Sequence, residues 1–172
     1  MELTRKRAAA SDSPGPPDLE TIYREHGHVV VRRARRILGD EVEAGEILQE
    51  VFLSLLDRPG QFEGRSAVTT FLYAMTTNAC LNRLRDRRRR SQILAEAIVP
   101  LEIGSGGRPE ASLDAASLLA RLPERLARVA IYHFLDGMTH DEIAELIGVS
   151  RRQVGNLVVR VQEEARRLAR AA

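Results

Sequence analysis

The sequence predicts an all-α protein made of two small helical units. Ala, Leu, Arg and Glu abound while aromatic residues make up only 4% of the chain, a composition that suits helices better than sheets. Apolar residues recur at three- and four-residue spacing through most of the chain instead of alternating. Gly and Pro gather in a few clusters, one of which falls mid-chain and divides the periodic pattern in two. A chain of 172 residues can form one ordinary domain or two small ones with modest cores, and the mid-chain cluster favours two.

Residues 1–17 are small, polar and Pro-rich, too poor in apolar groups to fold, and read as a disordered arm. From Asp18 the spacing of Leu19, Ile22, Tyr23, His26, Val30, Ala34 and Ile37 predicts an amphipathic helix ending near Gly39. A second helix spans Asp40 to Asp57, with Ala44, Ile47, Leu48, Val51, Phe52 and Leu55 inward, and Pro59-Gly60 stops it. A third runs from about Ala67 to Arg90, with Val68, Phe71, Leu72, Met75, Ala79 and Leu84 on its inner face. Three such helices with short connections make a bundle over residues 18–90. Residues 91–117, with Pro100, Gly104, Gly106, Gly107 and Pro109, read as a flexible linker.

The second unit, residues 118–172, opens with "LPERLARVAIYHFLDG". Pro123 suits a first turn, Leu126, Val129, Ala130, His133 and Phe134 form the predicted buried stripe, and Gly137 closes the helix. Thr139 with Glu142 and Ser150 with Gln153 are capping boxes that open two further helices, with Gly148 in the turn between them. Val154, Leu157, Val158 and Val161 make the inner stripe of the last helix. A helix, a tight Gly turn and a capped helix together constitute a helix-turn-helix. Leu157 is therefore uncharged because the core needs it, whereas Gly155 lies off the stripe and weakens the helix by roughly 1 kcal/mol relative to Ala. Outward-facing Arg151, Arg152, Gln153, Asn156 and Arg160 are types that grip phosphates or base edges.

Charge is segregated. Residues 39–57 carry six carboxylates and no Lys or Arg, whereas residues 83–90, "RLRDRRRR", carry six Arg and one Asp, so the bundle is read as offering an acidic face and a basic end. The formal net charge is only +2, and Lys6 is the one lysine. Cys80 is the single cysteine, which excludes an internal disulfide and a zinc site built on thiolates alone, and suits a reducing cytoplasm. The start "ELTRKRAAASDSPGPP" lacks the apolar stretch of a secretory signal, and no apolar run approaches the roughly 20 residues of a membrane span. Neither an enzyme nor a cofactor or metal site is expected. His26, His28, His133 and His140 stand at no recognisable catalytic spacing to a nucleophile or carboxylate, and no Gly-rich phosphate loop is present.

The order of "EILQEVFLSLL", then "QFEGRSAVTTFLYAMTTNACLNRLRDRRRR", a linker and a C-terminal helix-turn-helix resembles the extracytoplasmic-function sigma factors of the sigma-70 family, over about residues 18–90 and 118–168. The resemblance implies a non-enzymatic initiation factor whose partners are core RNA polymerase, at its clamp, promoter DNA and a cognate anti-sigma factor. It implies that Asp40, Glu43, Glu46, Gln49 and Glu50 face polymerase. It assigns the minus-ten element to Gln61, Phe62, Gly64, Arg65, Ser66, Thr69, Thr70, Asn78, Asn82, Arg83 and Arg85. It assigns the minus-thirty-five element to Arg151, Arg152, Gln153, Asn156 and Arg160. Phe71 stands where this family usually has Trp, Thr77 near a usual basic residue, and Gly155 and Leu157 where many members carry Arg. Two other readings use the same residues: a polymerase- or partner-binding regulator that does not melt promoters, and a simple helix-turn-helix DNA-binding regulator.

Overall fold

The computed structural model describes residues 18–58, 68–97 and 115–171, and all of its regular structure is helical. The arm, the segment from Pro59 to Ala67 and residues 98–114 lie outside the described residues, and with them the expected arm and most of the expected linker.

α1 (Leu19–Leu38) starts where Asp18 accepts a hydrogen bond from the Thr21 N–H at 2.7 Å, and ends on Gly39 at φ 73°, a left-handed conformation that favours glycine. α2 (Glu41–Asp57) starts at once, capped by Asp40, which accepts from the Glu43 N–H at 2.8 Å. α3 spans Val68–Ala97, seven residues beyond the expected end at Arg90, because Ser91–Ala97 holds no Gly or Pro to stop it. The three helices pack on one another through Ile22, Val30, Ala34 and Ile37 of α1, Ala44, Ile47, Val51, Phe52 and Leu55 of α2, and Leu72, Ala79, Cys80, Leu81 and Leu84 of α3. Tyr23, expected on the inner stripe, is exposed and sets its ring edge-on to Phe52 at 4.9 Å.

α4 (Ala115–Arg121) and α5 (Glu124–Ala130) follow, and α5 runs into a π-helical turn over Ile131–Leu135. This turn corrects the predicted stripe. Leu126, Val129 and Ala130 are buried as expected, but Ile131 and Tyr132 take the places assigned to His133 and Phe134, and Phe134 is 54% exposed. The widened turn, closed by the Asp136 N–H donating to Ile131 O at 2.9 Å, rotates later side chains away from a 3.6-residue register. Gly137 (φ 70°) ends the segment. α6 (His140–Ile147) and α7 (Arg151–Arg170) form the helix-turn-helix, with Gly148 (φ 67°) in the turn, and Ile143, Val154, Leu157, Val158 and Val161 fill its core.

The C-terminal helices do not stand apart from the bundle. α4 and α5 pack on α3, and a groove of about 490 Å³ between the two halves is lined by Ile37, Leu118, Leu119, Phe134 and Val161. No described helix is long and apolar enough to cross a membrane.

Candidate nucleic-acid and protein interfaces

Both capping boxes form. Thr139 N–H donates to Glu142 Oε2 at 2.8 Å while Glu142 N–H donates to Thr139 Oγ1 at 3.3 Å; these bonds to Thr139 hold the Glu142 carboxyl below its ordinary value. Ser150 N–H donates to Gln153 Oε1 at 2.9 Å, and Gln153 N–H donates back to Ser150 Oγ at 3.3 Å. The oxygen of Gln153 is thereby committed to its own helix, leaving the amide NH₂ as the group it can offer a base. Arg151, Arg152, Asn156 and Arg160 are exposed on α7, with Arg151 Nε 3.5 Å from Asp141 in an open ion pair. Two of these Arg follow the N-cap directly, where unpaired backbone N–H groups and the helix dipole already favour an anion. A Cβ added at Gly155 would meet its first neighbour, the His140 ring, at 3.8 Å, so packing within the chain does not demand glycine there.

In the bundle, the acidic α2 and the basic α3 are not two separate faces. Arg83 pairs with Glu46 and lies 3.6 Å from Glu50, while Arg87 lies 3.5 Å from Glu43. Packing of α2 on α3 brings the runs together, and Glu46 holds the Arg83 guanidinium further above its already high range. Asp40 serves as the α2 cap. Glu46, Gln49 and Glu50 are exposed, beside two leucines that sequence periodicity left unassigned, Leu53 at 57% and Leu56 at 61% exposure. Their signal was available, since both lie off the inner stripe of an amphipathic helix.

Of the residues assigned to single-stranded DNA, Thr69 and Thr70 are exposed in the first turn of α3 and Asn82 is exposed three turns on. Asn78, Arg83 and Arg85 are part-buried, and Asn78 Oδ1 and Arg85 Nη2 have no hydrogen-bond partner among the described residues. Gln61, Phe62, Gly64, Arg65 and Ser66 lie outside the described residues.

One constellation is invisible to periodicity alone. Arg33 makes a two-pronged pair with Asp136, Nη1 to Oδ1 at 3.1 Å and Nη2 to Oδ2 at 3.0 Å, with side-chain exposures of 5% and 6%. Its Nε and Nη2 also donate to Thr77 Oγ1 at 3.0 and 2.8 Å, and its guanidinium carbon lies 3.2 Å from the centroid of the Tyr73 ring. Tyr73 stacks on Tyr132 at 6.0 Å, and Arg36 donates to Leu135 O at the end of the π turn. Burial, then the adjacent Asp136 carboxylate, push the Tyr73 hydroxyl well above its usual range, and burial raises that of Tyr132. The sequence held a clue: Val30, Arg33, Ala34 and Ile37 are spaced as one apolar stripe, with a charge where a core residue belongs.

Known proteins share both the sequence pattern and the fold. Residues 22–90 match sigma-70 region 2, and residues 112–161 match sigma-70 region 4. The chain is 27% identical over 172 aligned residues to the ECF RNA polymerase sigma factor SigE of Mycolicibacterium smegmatis, covering 92% of this chain but 64% of that protein. It is 27% identical to SigM of Mycobacterium tuberculosis (87% and 76% covered) and 23% identical to SigW of Bacillus subtilis (96% and 94%), both also named ECF RNA polymerase sigma factors. The fold is similar to that of RpoE, solved with the anti-sigma factor NepR from Bartonella quintana, at TM-score 0.51, 16% identity and 89% and 97% coverage. It is likewise similar to CnrH, solved with the cytosolic domain of CnrY, at TM-score 0.51, 20% identity and 89% and 88% coverage. With region 2 and region 4 matched in order along one all-helical chain, and relatives of the extracytoplasmic-function kind across most of its length, this protein belongs to the sigma-70 family of RNA polymerase sigma factors.

Proposed function

We propose that this protein is a promoter-directing sigma factor that binds core RNA polymerase and initiates transcription without covalent chemistry of its own, acting in the cytoplasm. The ordered pair of sigma regions carries the reading. In it, residues 18–90 form the polymerase- and minus-ten-binding unit, and residues 118–172 the minus-thirty-five unit. The exposed carboxylates Glu46 and Glu50, with Gln49 and the neighbouring Leu53 and Leu56, are the surface offered to the polymerase clamp, the acids steering encounter and the leucines adding apolar area. Glu43 and Asp40 support that surface from its N-terminal end. Arg151, Arg152, Asn156 and Arg160 grip the upstream duplex, with Gln153 contributing its amide NH₂.

The opened strand falls to Thr69, Thr70, Asn78 and Asn82, with Gln61, Phe62, Gly64, Arg65 and Ser66 from the preceding segment and Arg83 and Arg85 beyond. Unstacking a base is unfavourable by a few kcal/mol, roughly, and melting proceeds only if the contacts made to that base offset the loss. A cognate anti-sigma factor is a natural partner for the same surfaces, as two structurally similar proteins were solved with such a factor or a named partner domain. The test is run-off transcription with bacterial core polymerase, with and without the protein, on a pool of genomic fragments with mapped starts. Starts that require the protein and share two spaced upstream elements are the expected result. Core binding with no new starts would replace this reading with that of a polymerase-binding regulator.

A further inference from the structure

The first turn of α6 leans on the outward side of α7. His140, the first residue of α6 after the Thr139 cap, is partly buried, and its ring lies over Gly155. A Cβ at Gly155 would stand 3.8 Å from Cε1 and 3.9 Å from Nδ1 of that ring and, chain neighbours aside, would meet no other described side chain within 4 Å. One methyl fits there in ordinary contact; a longer side chain and the imidazole would claim the same space. On a helix of 3.6 residues per turn, Gly155 falls one turn after Arg151 and Arg152 and one turn before Val159, all three of which are exposed. The His140 ring therefore fills a gap in the surface of α7 that its own side chains leave open.

The ring is held from more than one side. The His133 ring lies 5.3 Å away, centre to centre, and is itself tied down: its Nδ1 is 3.3 Å from Met138 O and, because a carbonyl only accepts, that nitrogen donates. Next along the chain, Asp141 lies 3.5 Å from Arg151 Nε, which joins α6 to α7 at a second point. Thr139 and Glu142 satisfy each other within the capping box. Among the described residues, neither nitrogen of His140 has a hydrogen-bond partner. An imidazole always carries at least one N–H, so a ring packed in place, unpaired and a turn from two arginines is a donor set for an anion from outside the chain.

We propose that His140 is a DNA-binding residue: its ring, seated on Gly155, donates a hydrogen bond to a backbone phosphate at the edge of the groove that α7 enters. The inference rests on the promoter-directing reading. A phosphate is the partner because His140 flanks the outward face of α7, whose centre is taken by Arg152, Asn156 and Val159, so it fixes the register of the helix without reading a base. The experiment assembles holoenzyme from core polymerase and the full chain as wild type, His140→Phe, His140→Ala, and His140→Ala combined with Gly155→Arg. Affinity is measured for a promoter found by run-off mapping and for the same promoter with one upstream base pair changed. His140→Phe keeps a ring over Gly155 and against His133 but has no N–H. Both single variants should lose about five- to tenfold in affinity, equally on the two duplexes, as for one lost hydrogen bond to a charged oxygen, with wild-type core association and melting temperature. In the combined variant the new guanidinium takes the vacated place and should restore most of that loss. Wild-type affinity in folded His140→Phe would overturn the contact, and a loss that differs between the duplexes would replace it with base reading. A combined variant no tighter than His140→Ala would overturn the shared seat on α7. If wild-type holoenzyme itself binds no duplex specifically, the promoter reading has failed and takes the contact with it, an outcome distinct from a loss or its absence in the variants.

Discussion

A methyl group at position 155 has room. Gly155 lies inside a 20-residue helix with negative φ, and the nearest atom to an added Cβ is 3.8 Å away. Gly155→Ala should therefore raise stability by about 1 kcal/mol through helix propensity alone, seen as a rise of a few degrees in melting temperature. An unchanged or lower melting point would show that the backbone there is constrained in a way the folded chain does not reveal. Cys80 behaves in the opposite manner: it is fully enclosed, and burial pushes its thiol up to about 12. A thiol reagent at pH 8 should leave the native protein unmodified and label it stoichiometrically once denatured, since the reactive thiolate is scarce far below the thiol's pKa. At this scale much was legible. The uncharged Leu157 and the turn glycines follow from periodicity and φ, whereas the role of Arg33 does not, because a charge on an apolar stripe finds its meaning only in a partner 103 residues away.

Helix boundaries follow from caps, and the boundaries that carry a coded signal match expectation: the end of α1 at Gly39, the end of α6 at Gly148, the start of α7 at Ser150. α3 overruns its expected end for want of such a signal. The π turn is not legible because no side chain encodes a widened turn. Pairing between α2 and α3 also changes how the acidic helix should be probed. Glu46→Lys with Glu50→Lys should abolish association with core polymerase in a pull-down while circular dichroism stays helical, since the exposed pairs to Arg83 contribute at most about 1 kcal/mol each to folding. Retained association would remove α2 from the polymerase interface. On α7, Arg151→Ala with Arg152→Ala should weaken promoter binding and lower the steepness of log K against log salt by about two, since each phosphate left without its arginine keeps its counterion. An unaltered slope would mean that neither arginine touches DNA.

For the molecule as a whole, the all-helical class and the order of its parts could be read from pattern, since each half buries its own apolar stripes. How the halves meet could not, because that junction joins apolar packing of α4 and α5 on α3 to a buried charge pair formed by residues distant in sequence. It also gives the protein an optical gauge. The chain has no tryptophan and three tyrosines, two of which, Tyr73 and Tyr132, flank Arg33 at the junction. Burial keeps both phenols protonated beyond their ordinary range, so the folded arrangement has that stabilisation in full below about pH 10 and loses it as the solution becomes more alkaline. Phenolate absorbance near the ultraviolet edge should then develop late in the native protein and earlier in the denatured chain. Two rings packed for structural reasons thus make ultraviolet absorption, with no label attached, a readout of whether the junction around Arg33 is intact.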